Sequence, residues 1–223
     1  MHFHIISIFP NMFDSYLSES ILKRAIKDKK IKISFYNPIL FLDKKDGKFY
    51  NKIDDKPFGG GPGMVLKAEP FLKAIKKAVG QKKHFKIYYL SPRGKVFNTQ
   101  MAQKIAENSQ KKKGKIKDII FVSGRYEGID SRVSEIYKGE FVSVGDFVLT
   151  GGELPIMIMI DSISRQIEGV LGNKNSLEEQ RLSAGKYYTR PEDLKWKKKI
   201  YKVPKVLLSG NHKEIEKWRE KNK

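Results

Sequence analysis

The sequence of 223 residues contains no cysteine. Disulfides, thiolate metal sites and cysteine nucleophiles are therefore excluded, and a reducing compartment is permitted. Long apolar runs are missing too: the strongest, Leu154 to Ile160, is far too short to cross a bilayer. The opening Met1-His2-Phe3-His4-Ile5-Ile6 has no basic region and no small-residue cleavage site, so it reads as a strand rather than a signal peptide. Together these absences predict a cytoplasmic protein with no membrane partner. No Gly-x-Gly-x-x-Gly follows a strand and no Gly-Lys pair precedes Ser or Thr, which removes the usual dinucleotide and nucleoside-triphosphate fingerprints. The four histidines are scattered. His2 and His4 would share one face of a strand, but no third ligand is apparent, and no metal site is expected. Acidic residues are outnumbered 25 to 45 by basic ones, a formal net charge of +20. Such an imbalance favours a polyanion through field steering and counterion release, with nucleic acid first among partners. Arginine is scarce, so retained arginines such as Arg93, Arg125 and Arg132, beside glycine motifs, point to contacts that need its planar fork.

Glycine, by contrast, is concentrated. Phe58 to Met64, Ser123 to Asp130 and Val144 to Glu153 are three clusters, two of which end on an acidic residue. Glycine costs conformational entropy and adds no packing, so repeated clusters predict loops whose main chain approaches a ligand closely. Between them run strand-like segments, at Phe3 to Phe9, Ile31 to Tyr36, Ile87 to Leu90, Ile119 to Ser123 and Phe141 to Val144. Phe71, Leu72, Ala74, Ile75, Ala78 and Val79 recur at helical spacing opposite Lys73, Lys76 and Lys77. A second helix starts near Asn98 or Thr99 and runs to about Asn108. A third, opened by Pro155 and running through Gln166, is apolar nearly all round and should be buried or lie at a subunit interface. Strands alternating with helices predict an α/β architecture with a largely parallel sheet. Asn173 to Lys186 is polar and aperiodic and reads as an interdomain linker, followed by a small, mostly helical segment.

The motifs together resemble the bacterial tRNA (guanine-N1)-methyltransferase family of the knotted SPOUT superfamily. The resemblance runs through Ile5 to Pro10, Asp54 to Met64, Tyr89 to Gly94, Gly124 to Asp130 and Gly145 to Pro155. It continues at Ile160 to Arg165, Gly169 to Gly172, Tyr188 to Pro191 and Leu207 to His212. It implies a SPOUT-type sheet with helices on both faces, a trefoil knot in the main domain, a homodimer and S-adenosylmethionine as methyl donor. Mg²⁺ is a further candidate cofactor by the same analogy. The substrate it implies is the guanine 3′ of the anticodon, position 37 of tRNA, whose methylation supports reading-frame maintenance. The domains would be 1–172 for donor binding and methyl transfer, 173–186 as linker, and 187–223 as a short C-terminal tRNA-binding domain.

Carried over by motif, the donor would contact Tyr89, Leu90, Ser91, Pro92, Gly124, Tyr126 and Glu127. Val144, Gly145, Asp146, Phe147, Val148 and Leu149, with Gly151, Gly152 and Pro155, would complete the pocket. Glu127 would favour the sulfonium cation, Arg165 would supply positive charge beside the guanine, and Asp54, Gly59, Gly60 and Gly61 would help to hold a base turned out of its stack. Arg190 would contact tRNA phosphates. Guanine N1 carries a proton at neutral pH, so its methylation needs a general base. In the family a linker aspartate plays that part; here Gln180 stands at the equivalent position, and Glu179, with Glu178 second, is the nearest carboxylate. Two alternatives share the resemblance: an RNA-binding member impaired in catalysis, and a ribose 2′-O-methyltransferase.

Overall fold

All five apolar runs become strands of one sheet. The computed structural model describes residues 1–45, 48–49, 52–110, 116–172 and 186–222, and divides into two compact units, Met1–Gly172 and Asn173–Lys223. In chain order the first unit runs β1 (His2–Ile6), a 3-10 turn (Pro10–Phe13), α1 (Asp14–Leu17), α2 (Ser20–Lys27), β2 (Lys32–Tyr36) and a second 3-10 turn (Pro38–Phe41). The short strands β3 (Lys44–Lys45), β4 (Lys48–Phe49), β5 (Asp54–Asp55) and β6 (Val65–Leu66) follow. The unit ends with α3 (Ala68–Val79), β7 (Phe85–Val96), α4 (Thr99–Gln110), β8 (Asp118–Val122), α5 (Arg132–Ile136), β9 (Glu140–Ser143) and α6 (Glu153–Ser164).

The main sheet has the order β2-β1-β8-β7-β9, and every neighbouring pair is parallel. Its central strands β1 and β8, and β7 as far as Tyr89, are buried on both faces, as parallel sheets covered by helices require. Phe3, Ile5, Ile119 and Phe121 face one side, where Leu22 and Ala25 of α2, Ala102, Ile105 and Ala106 of α4, and Ile156, Met159 and Ile160 of α6 pack on them. Ile6, Ile120, Val122, Ile87 and Tyr89 face the other, under Phe71, Ala74, Ile75 and Ala78 of α3 and Val133 of α5. The stripe expected of α3 is thus its buried face. The helix stops at Gly80, where φ is +52°, and the Lys82 ammonium donates to the Ala78 carbonyl at 2.8 Å. At the start of α4 the Asn98 carboxamide accepts from the Met101 amide at 2.9 Å, which makes Asn98 its capping residue.

Polar residues interrupt the second face at one end. His2, His4, Asp118, Ser34 and Tyr36 meet there on β1, β8 and β2. Burial first, and then the neighbouring His4, push His2 down to about 4, and burial also lowers His4, so both imidazoles are neutral at neutral pH. Asp118 lies 114 residues from His4, which is why spacing along the chain gave no third ligand.

The second unit contains the hairpin β10 (Asp193–Trp196) and β11 (Lys199–Lys202), then α7 (Lys205–Leu208) and α8 (His212–Lys221). The sequence predicts a mostly helical segment here and no hairpin, because the strands of the hairpin are exposed throughout and rich in lysine. Asn211 caps α8 by accepting from the Glu214 amide.

The register of β7 against β9 shifts between Leu90 and Lys95. The far end of β7 passes so close to β9 that a Cβ on Gly94 would fall inside the backbone of Phe141 and Val142. On the other side a Cβ on Gly139 would lie 2.7 Å from the Ile87 carbonyl oxygen. Backbone cannot yield there as a flexible side chain would. Gly94→Ala is expected to destabilise the protein by about 3 kcal/mol or more, the upper range for overpacking; a denaturant midpoint equal to wild type would contradict the close approach.

Candidate active site

Two loops leave the carboxyl ends of β8 and β9, where open α/β sheets form their ligand crevices, and converge on a stretch inside β7 where its register against β9 breaks. Tyr89 to Arg93 is that stretch of β7, Gly124 to Asp130 follows β8, and Val144 to Gly152 joins β9 to α6. Between them lies a cavity of about 450 Å³. The loops are tied main chain to main chain: the Gly152 amide donates to the Gly124 carbonyl at 3.1 Å, and Arg125 bridges Gly151. Glycine is required at this junction. A Cβ on Gly152 would lie 2.9 Å from Ser123 Oγ and 3.0 Å from Ser123 Cα. In the loop after β8 Tyr126 holds φ at +58°, a conformation unusual for an aromatic residue, and leaves its ring exposed at the cavity wall.

A buried carboxylate fixes this geometry. Glu153, the first residue of α6, is 1% exposed. Arg125 Nε donates to its Oε2 at 3.0 Å and the Ser7 hydroxyl donates to its Oε1 at 2.8 Å. The Phe9 amide in turn donates to Ser7 Oγ, and the Arg125 guanidinium lies 4.9 Å from the centroid of the Phe9 ring. One ion pair thus links the end of β1, the loop after β8 and the start of α6. Sequence reasoning singled out Arg125 only as an arginine in a glycine motif and left Glu153 and Ser7 without a role. The signal was there: an acid at the end of a glycine cluster, opposite an arginine in another.

Of the residues expected to hold a donor, all line the cavity except Gly145 and Asp146. Gly145 instead turns back, and its carbonyl accepts from the Ser143 hydroxyl at 2.8 Å. Arg93, Asp130 and Phe141, which were not anticipated, also line it, Phe141 stacked on Tyr89 with ring centroids 5.2 Å apart. The segment after Asp54 docks on the cavity's rim. Leu66 donates to Gly128, Asp130 donates to Leu66, and Glu127 donates to the Met64 carbonyl. Gly59, Gly60 and Gly61 all have positive φ, and Phe58 beside them is fully exposed. They do not line the cavity. Asp54 pairs with Leu66 on β5 and β6, likewise outside the lining.

Arg165 is not brought to the cavity of its own chain. It caps the far end of α6, 13 residues and about 20 Å from Gly152 at the helix start. It shares a stripe with Leu154, Ile158 and Asp161, spaced as neighbours on one helix face. Leu154 and Ile158 are 48% and 40% exposed, while Asp161 accepts a 2.6 Å hydrogen bond that pushes the Tyr16 hydroxyl up to about 12. The helix expected to be buried or at an interface is therefore buried on one side and apolar and open on the other. Arg190 is exposed in the second unit. Glu178, Glu179 and Gln180 lie outside the described residues, as do residues 173–185 of the expected linker as a whole.

The site is a glycine-rich pocket in a strongly basic protein, and known proteins match the chain throughout. The family profile of tRNA (Guanine-1)-methyltransferase TrmD matches residues 1–223. The tRNA (guanine-N(1)-)-methyltransferase of Clostridioides difficile (strain 630) is 44% identical over 225 residues, covering 98% of this chain and 90% of its own. That of Francisella philomiragia subsp. philomiragia is 46% identical over 228 residues, covering 100% of this chain and 84% of its own. The crystal structure of tRNA (m1G37) methyltransferase from Aquifex aeolicus aligns with a TM-score of 0.76 at 34% identity, over 99% of this chain and 88% of that one. With the parallel sheet, the loop pocket and a match over every residue in agreement, the chain belongs to the tRNA (Guanine-1)-methyltransferase TrmD family.

Proposed function

We propose that the protein transfers a methyl group from S-adenosylmethionine to N1 of the guanine at position 37 of tRNA, and that it works in the cytoplasm as a homodimer. The observation that carries this reading is the cavity where the loops after β8 and β9 meet Tyr89 to Arg93 of β7, in a chain matched over its full length by the family. Bound there, S-adenosylmethionine supplies an electrophilic methyl carbon on a sulfonium centre. The residues present suit it. Peptide groups opened by Gly124, Gly151 and Gly152 can recognise an adenine edge, and the Glu127 carboxylate at the wall compensates a cation drawn out of water. Residues 1–172 are read as the catalytic domain with its trefoil knot, a threading that fits the close passage of β7 and β9. Residues 173–186 are read as the linker and 187–223 as a tRNA-binding segment.

At the guanine, Glu179 would accept the N1 proton and Arg165 would face the negative charge that grows on O6, leaving N1 as the nucleophile toward the donor's methyl group. The stripe of Leu154, Ile158 and Arg165 on α6 suits a two-fold contact with a second copy, which would place Arg165 of one protomer at the cavity of the other. The docked segment from Asp54 to Met64 stands over the rim, where Asp54 and the glycine loop can meet a flipped base. The charge of +20 draws tRNA in, and Arg190 with the lysines of the β10–β11 hairpin contacts phosphates. Among the described residues, no group of three carboxylate or imidazole donors lies at the cavity, so these side chains do not form a Mg²⁺ cage, and no step is routed through that ion.

Three outcomes follow. In single-turnover methylation of tRNA transcripts carrying guanine or adenine at position 37, Glu179→Gln should slow transfer by about 10² or more; unchanged rates in both Glu179→Gln and Glu178→Gln would remove the base assignment, and product on a ribose would replace the reaction. Glu153→Gln, which strands Arg125, should cost about 3 kcal/mol of stability and raise the donor KM more than it lowers kcat; an unchanged KM would show that the ion pair does not position the loops. Arg165→Ala chains mixed with Gly124→Arg chains, each inactive alone, should recover about a quarter of wild-type activity through heterodimers with one complete site. No recovery would place Arg165 and the cavity of one chain together.

A further inference from the structure

The polar cluster at the opposite end of the sheet takes no part in this reaction. His2 opens β1, Asp118 opens β8, and the parallel register sets them side by side, with His4 two residues on and on the same face. The two imidazole centroids are 3.8 Å apart. One nitrogen of each ring faces the same carboxylate oxygen: His4 Nε2 is 2.8 Å and His2 Nδ1 is 3.6 Å from Asp118 Oδ1. The remote nitrogen of each ring is held by a hydroxyl from β2, His2 Nε2 by Ser34 Oγ at 2.8 Å and His4 Nδ1 by Tyr36 OH at 3.0 Å. The three candidate donor atoms all lie within 4.8 Å of one another.

We propose that His2, His4 and Asp118 bind one divalent transition-metal ion of the zinc, cobalt or nickel class, a structural site that pins β1 to β8 and, through the hydroxyls, to β2. Two imidazoles and a carboxylate are a borderline donor set that favours these ions over magnesium or calcium. Three protein ligands leave a fourth position for water or a neighbouring group. The hydroxyl contacts supply what metal-bound histidines need behind them, a partner that fixes the ring and its tautomer. When His4 Nε2 gives its lone pair to the ion, its proton moves to Nδ1, and the Tyr36 hydroxyl can change from donor to acceptor without shifting. Lys32 and Lys82 place positive charge nearby and limit the affinity. His4 is 1% exposed, so the ion would enter from the side of His2, which is partly open.

The test uses the full chain, stripped with a chelator and titrated with cobalt(II) followed in the visible range and with zinc chloride by calorimetry. The expected result is one equivalent per chain, a cobalt(II) spectrum of nitrogen and oxygen ligation, and a rise in melting temperature with zinc. His2→Gln and Asp118→Asn should each weaken binding at least tenfold, and Ser34→Ala should weaken it about tenfold, the usual cost of losing an outer partner. S-adenosylmethionine binding, measured alongside, should be unchanged in all three and reports that each variant is folded; should Asp118→Asn not fold, the other two carry the test. Wild-type binding no tighter than that of His2→Gln, or affinity indifferent to His2→Gln and Ser34→Ala, would overturn the site.

Discussion

The structure depends on how closely main chain can approach main chain around β7, β8 and β9. Gly94 and Gly139 let β7 and the chain at β9 pass backbone to backbone, and Gly152 removes the Cβ that would collide with Ser123, so that the loops after β8 and β9 bond amide to carbonyl, as between Gly152 and Gly124. What remains between them is a cavity of about 450 Å³ whose lining mixes glycines with Tyr89, Tyr126, Glu127 and Phe147. Where glycine leaves peptide groups open, donors and acceptors are fixed and lose no side-chain entropy when a ligand arrives. The Glu153 pair with Arg125 and Ser7 then locks the arrangement from behind. Such a buried pair adds little net stability over an apolar replacement, but breaking it leaves an uncompensated charge, so it resists rearrangement of the three elements it joins.

Arg165 stands at the far end of α6, away from this pocket, and Gly59, Gly60 and Gly61 belong to a segment whose end, at Met64 and Leu66, docks on the rim. On the proposed reading, assembly with a second copy and with tRNA completes the site. This arrangement also accounts for the open apolar face of α6, which is an ill fit for a helix serving only its own core.

Much of this was legible in the chain. Strand-like apolar runs marked all five sheet strands, helical spacing marked α3, and an apolar stretch opened by Pro155 marked α6, because the core-facing side of each is apolar. The motif resemblance named 14 of the 27 residues that line the cavity, and the rest flank them in the same segments or come from α5 and β9. What stayed hidden depends on contacts between residues remote in sequence. Glu153 and Ser7 are separated by 146 positions, and His4 and Asp118 by 114, so no local spacing could pair them. The β10–β11 hairpin escaped because its exposed strands carry lysines where a half-buried strand would alternate cleanly. The distance of Arg165 from the cavity is likewise a property of a straight helix, invisible until the two ends of α6 are located.

The central claim is that the glycine-rich cavity is a binding site for the methyl donor. Calorimetric titration of the purified protein with S-adenosylmethionine, repeated with its demethylated product as competitor, tests it most directly. The account predicts saturable binding that the product displaces and that Gly152→Val abolishes while the protein remains folded. Absence of binding by the folded wild-type protein, or binding that survives closure of the cavity at Gly152, would contradict it.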